Sequence, residues 1–142
     1  MKRRFAEMHL FDTCTHKCAY CHFAESGKVL DNSQINPYRD PAFIDLITGF
    51  FNRRTTESDK WTITLTGGEP LLTPNLRRFV DALGTHGNKV AYYTALLVGE
   101  NHPAYQYLLE SARHTEYIIA TFHHEAEAIE DEFFDRVKRL KR

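Results

Sequence analysis

The sequence predicts an α/β fold with parallel strands joined by right-handed crossovers. Two observations carry this reading. Short runs of strand character and longer runs of helical periodicity alternate four times along the chain, and 142 residues, 42% hydrophobic and 26% charged, suffice for one globular domain over residues 1–142. No low-complexity tract or interdomain linker interrupts the alternation.

Residues 8–11 form a short apolar run that reads as a first strand and leads directly into a cysteine-bearing loop. Residues 20–25 can start a helical turn, and residues 31–41, rich in Asn, Asp and Pro, read as loop. Phe43, Ile44, Ile47, Phe50 and Phe51 then recur at helical spacing, which predicts a helix over 41–54 with Pro41 in its first turn. Residues 61–66 alternate large apolar side chains with threonines, the pattern of a strand. This strand runs straight into Gly67-Gly68-Glu69-Pro70. Beyond it, Thr73 is placed to cap a helix beginning at Pro74, with Leu76, Phe79, Val80 and Leu83 on its buried face and Gly84 and Gly87 to end it. Residues 90–98 are the third strand, 103–113 the third helix and 117–122 the fourth strand. Ile129, Phe133, Val137 and Leu140 mark the last helix.

Composition narrows the function classes. A net charge of −1 gives no general nucleic-acid footprint. No window approaches the run of about 20 apolar residues that a spanning helix requires, and Glu7, His9 and Asp12 interrupt any apolar signal core. Three cysteines in one loop cannot form a disulfide framework, so a reducing, cytoplasmic location is expected.

Those cysteines, Cys14, Cys18 and Cys21, are spaced four and then three apart. Soft thiolates at this spacing can wrap one metal centre, and three ligands leave either an open position or a fourth ligand from elsewhere. The same spacing also fits one face of a helix, where cysteine is a small buried residue. Against that, the stripe stops at Glu25 and Gly27, and Thr15, His16 and Lys17 form a polar interruption. A zinc site completed by His16 or His22 is a rival arrangement. Gly67-Gly68-Glu69-Pro70 taken alone is an ordinary turn. In a parallel βα architecture, however, loops after the carboxyl ends of strands gather on one side. The cysteine loop, the glycine turn, Thr94 with Ala95, and Thr121 with His123 and His124 would all lie there. His123-His124-Glu125 lacks the helical spacing of a zinc-protease motif and is not read as a second metal site.

A CxxxCxxC loop after the first strand followed by a GGE-type turn after the second closely resembles the radical S-adenosylmethionine superfamily. The resemblance spans essentially the whole chain as the N-terminal part of that family's core. It implies a partial TIM-like barrel of about four βα units, truncated relative to the usual six. It also implies that Cys14, Cys18 and Cys21 ligate three irons of a [4Fe-4S] cluster. The fourth iron then chelates S-adenosylmethionine, whose reductive cleavage gives methionine and a 5′-deoxyadenosyl radical that abstracts hydrogen from a substrate. By the same resemblance, Glu69 receives the cofactor's ammonium group beside Gly67 and Gly68. Tyr20 stands near the adenine, Thr94 supplies a polar group at the third strand's end, and His123 lies on the ribose side. No catalytic side chain is assigned beyond the cluster.

A cellular electron donor and a substrate of unidentified class are the implied partners. The later strands of the family and any auxiliary-cluster cysteines have no counterpart in these residues. Further chain, a partner or self-association is therefore expected to cover the open sheet edge, and these residues alone are not expected to turn over substrate efficiently. The alternative is a zinc- or cluster-binding structural or interaction module without catalysis.

Overall fold

The computed structural model describes residues 2–10, 14, 18, 21 and 36–141, without the side chains of 124–126. Four strands, β1 (Lys2–His9), β2 (Asp59–Thr66), β3 (Lys89–Thr94) and β4 (Thr115–Ala120), form one sheet in the order β1-β2-β3-β4. Every neighbouring pair is parallel. The helices are α1 (Pro41–Asn52), α2 (Leu76–Gly84), α3 (Pro103–Glu110) and α4 (Glu130–Leu140). Each follows a strand, as the alternation of the sequence predicts. Among the described residues no helix is long and apolar enough to cross a membrane.

Strand periodicity divides the sheet into two faces. Ile63 and Leu65 of β2, with Val90 and Tyr92 of β3, are fully buried and pack with Ile44 of α1, Phe79, Val80 and Leu83 of α2, Tyr105 of α3 and Phe133 of α4. Register places Ala6 beside Ile63 and Met8 beside Leu65, so β1 contributes to the same face. The intervening residues form the opposite face, where Phe5, Tyr93, Tyr117 and Ile119 remain exposed. Arg3 and Lys89 converge there on Glu116, at 3.6 and 3.3 Å.

Local chemistry explains the helix starts. Asp40 caps α1 by accepting from the Ala42 amide at 2.9 Å, and Pro41 occupies the first turn, where its missing N–H costs nothing. His102 does the same for α3, its ring accepting from Ala104 at 3.2 Å. The buried Asn88 ties the opposite ends of three elements: its side-chain oxygen accepts from the Trp61 amide and the Thr55 hydroxyl, both at 3.0 Å, and its amide donates to Asn52 at 3.0 Å.

Several boundaries differ from the sequence expectation. β1 begins at Lys2 rather than near residue 8, because an edge strand tolerates the polar Lys2-Arg3-Arg4 start, with Arg4 paired to Asp59 of β2. α2 begins at Leu76, not Pro74. Thr73 instead closes a 3₁₀ turn over Pro70–Leu72, and Asn75 takes a left-handed conformation with φ 55°, held by its amide donating to Tyr38 O at 2.9 Å. β3 stops at Thr94 rather than 98, since Leu96 turns to φ 50°. α3 ends at Glu110 rather than 113, and the 3₁₀ turn Ala112–His114 then delivers the chain to β4. The helical turn expected over residues 20–25 lies outside the described residues, apart from Cys21.

Candidate functional site

All four strands run in one direction, so the loops that follow them leave the same end of the sheet. The first two leave side by side. His9 pairs with Thr66 at the last step of the β1–β2 register, and the Leu10 amide donates to Thr66 O at 2.8 Å. In sequence, the cysteine loop follows the first strand of this pair and Gly67-Gly68-Glu69-Pro70 follows the second. Adjacency of these segments is a consequence of parallel pairing between consecutive strands.

Within the cysteine loop, Cys18 is buried and Cys14 and Cys21 are half-buried. The Cys21 amide donates to Cys18 O at 3.0 Å. Tyr20 lies outside the described residues. Among the described residues no three His, Cys, Asp or Glu side chains are grouped so as to hold a metal ion. The donor set itself, three thiols within eight residues of sequence, fits the soft-ligand chemistry of an iron–sulfur cluster.

Gly67 has φ 128°, a conformation that side-chain-bearing residues rarely adopt, so glycine is required at the exit of β2. This turn places Glu69 at 3% exposure. Its carboxylate is enclosed by donors from two loops. Oε1 accepts from the Leu71 amide at 3.1 Å and from the Thr94 hydroxyl at 2.6 Å, while Oε2 accepts from the Ala95 amide at 3.0 Å. Thr94 in turn accepts from the Leu96 amide at 2.9 Å. Burial pushes the Glu69 carboxyl above its ordinary range, and the bonds from Thr94, Leu71, Ala95 and Leu97 oppose that rise. The carboxylate thus joins the loop after β2 to the loop after β3.

The fourth loop is tied in through the backbone, the Thr121 amide donating to Thr94 O at 2.9 Å. His123, half-buried, stands at the exit of β4 just before the 3₁₀ turn His124–Ile129. The structure therefore brings Glu69 and Thr94 into direct contact and sets Gly67 and Gly68 beside the root of the cysteine loop. Three backbone roles escape sequence reasoning. The amides of Leu71 and Ala95 carry no side-chain signal, and nothing in the sequence marks Leu96, a buried leucine, for a left-handed backbone.

No family model, curated protein or solved structure matches the chain. The functional reading rests on the residues and their placement.

Proposed function

We propose that the chain is a radical S-adenosylmethionine enzyme or the N-terminal core of one, and that its four-stranded parallel sheet is the arc of a partial TIM-like barrel. The observation that carries the reading is the side-by-side exit of the two motif loops from β1 and β2, fixed by the His9–Thr66 pairing. Neither motif alone would suffice.

In this reading Cys14, Cys18 and Cys21 hold the [4Fe-4S] cluster and Glu69, Gly67 and Gly68 receive S-adenosylmethionine. When bound, the pair supplies one-electron cleavage of a carbon–sulfur bond to a carbon radical that takes hydrogen from substrate. The protein's own work is binding and orientation. Gly67 and Gly68 keep side chains away from the turn, so that a ligand can approach the backbone closely. Glu69 presents negative charge in a low-dielectric setting, where a charge-assisted bond to an ammonium group is strong. Thr94 holds that carboxylate from the β3 side and fixes its orientation. Tyr20 and His123 are assigned to the adenine and ribose sides. The exposed face bearing Phe5, Tyr93, Tyr117 and Ile119 is the substrate side, with a cellular electron donor as partner and a cytoplasmic location.

Anaerobic reconstitution tests the reading. Wild-type protein should take up iron and acid-labile sulfide and, when reduced, release 5′-deoxyadenosine from S-adenosylmethionine. Cys14→Ala, Cys18→Ala and Cys21→Ala should each lose stable four-iron content. One zinc per chain with no acid-labile sulfide in anaerobically purified protein would replace this reading with a structural zinc module.

A further inference from the structure

Among the described residues Arg136 of α4 is the only buried lysine or arginine, at 3% exposure. It lies where α4 meets α3: its carbonyl accepts from the buried Tyr105 hydroxyl at 3.0 Å, and Arg139 nearby pairs at 3.1 Å with Glu100, in the segment leading to α3. Phe133 and Val137 beside it pack into the core, so α4 cannot seat its apolar stripe without carrying this guanidinium inward.

Polar side chains buried on the other helices are satisfied. Thr48 of α1 donates to Ile44 O at 2.9 Å, Tyr105 of α3 to Arg136 O, and Tyr107 of α3 to Asp81 of α2 at 2.8 Å. Arg136 differs from all of these. Its Nη1 comes within 3.6 Å of Glu132 one turn back, beyond hydrogen-bond range, and that carboxylate is 68% exposed. Nε and Nη2 are buried and meet no acceptor among the described residues. Together they form one bidentate edge of the guanidinium, the edge that a carboxylate would otherwise take. The chain itself encloses both atoms, so no group at the surface reaches them while α4 is seated. Nor can arginine escape by losing its proton, since its pKa lies far above neutrality. A seated α4 therefore holds a full charge with two unmet donors, and an unseated one returns every donor to water.

We propose that Arg136 is a release device: it holds α4 near the balance between seated and unseated, so that this helix opens as a local unit before the sheet and α1 to α3 unfold. Regions open locally where burial is least favourable, and among the helices that condition is met at Arg136. Opening uncovers Phe122, which packs on Phe133 at 5.3 Å, and so loosens the root of the segment between β4 and α4 where His123 stands. The inference concerns the outer helix layer and is independent of the cofactor reading.

The test is native-state hydrogen exchange of the full chain at low urea, comparing amides of residues 134–140 with those of Ile63 and Val90 in the buried strands. In the wild type the α4 amides should exchange at least about tenfold faster, through an opening that urea barely promotes. Arg136→Met keeps an unbranched side chain and removes the charge, and should slow exchange in α4 by about tenfold or more. Arg136→Lys supplies a second reading. A buried lysine sheds its proton at a lowered pKa, so protection of α4, corrected for intrinsic exchange, should rise with pH in this variant by more than in the wild type. Wild-type α4 amides as protected as those of Ile63 and Val90, or exchange that is unchanged or faster in Arg136→Met, would overturn the proposal; the second result would mean that an acceptor enclosed beside the guanidinium satisfies it.

Discussion

Replacing Glu69 by glutamine keeps the shape of the side chain and removes one acceptor. The carboxylate receives donors on both oxygens, from Leu71 and Thr94 on Oε1 and from Ala95 on Oε2. Glutamine carries one oxygen and one NH₂ group. If the oxygen stays at the Oε1 position, the NH₂ confronts the Ala95 amide. If it is flipped, the NH₂ confronts the Leu71 amide. Either way one charge-assisted bond is lost and a backbone donor loses its acceptor, a cost of about 1–3 kcal/mol. For a chain of this length that corresponds to a melting temperature lowered by about 4–12 °C. The pH dependence has a defined sign. Because burial raises the Glu69 carboxyl, its contribution to stability is fully present below the ordinary carboxylate range and is lost as pH rises through the raised value. Glutamine does not titrate, so the gap between wild type and variant should be widest in acid and narrow as pH rises. On the proposed function, S-adenosylmethionine affinity should also fall by roughly tenfold or more, for the loss of one charged bond. Thermal melts across pH and an anaerobic titration read the two effects separately. An unchanged melting temperature would refute the carboxylate clamp, and a gap that widens with rising pH would refute the raised carboxyl; unchanged affinity would remove Glu69 from the proposed cofactor site.

Asn88→Ala should cost about 2–3 kcal/mol in a urea melt, since it strips acceptors from the Trp61 amide and Thr55 hydroxyl and a donor from Asn52. Asn75→Ala should cost about 2–3 kcal/mol, the sum of a lost bond to Tyr38 and a left-handed backbone at φ 55°, whereas Asn75→Gly should recover the backbone part. A Cβ at Gly84 would fall 2.7 Å or less from three atoms of the His114 ring. Gly84→Ala should therefore destabilise despite the better helix propensity of alanine, and the same change combined with His114→Ala should be neutral or stabilising; equal effects in both backgrounds would refute the contact.

Much of the architecture was legible because it depends on periodicity. Ile63 and Leu65 alternate with threonines, Phe79, Val80 and Leu83 share one helical face, and both patterns report burial directly. Boundaries were less legible where polar residues do unexpected work. The Lys2-Arg3-Arg4 start of β1 looks like a solvated terminus, yet it pairs with β2 from Lys2 onward, and Arg4 with Asp59 and Arg3 with Glu116 give its charges partners. Thr73-Pro74 has the form of a helix start, yet the left-handed Asn75 intervenes, and it is Tyr38, distant in sequence, that holds it there. At the site, the motif loops and Thr94 were readable as residues at strand ends. What was not readable is that Thr94 meets Glu69 directly, because that contact depends on where β3 stops relative to the turn after β2.

That stopping point carries the remaining argument. Leu96 is buried and has φ 50°, a conformation that costs a non-glycine residue roughly 1–2 kcal/mol. The turn is held by the Leu96 amide bonding to Thr94 and by the Ala95 amide bonding to Glu69. On the other side of the same carboxylate, Gly67 has φ 128°. Two irregular backbones therefore flank one buried acid, while the strands behind them are regular. Strain of this kind persists only where the surroundings over-determine it, and it concentrates where a side chain must be held in one orientation. The strained β3 exit is thus the physical reason that Glu69 can be buried with donors on both oxygens. Relaxing it should loosen the carboxylate before it loosens the core.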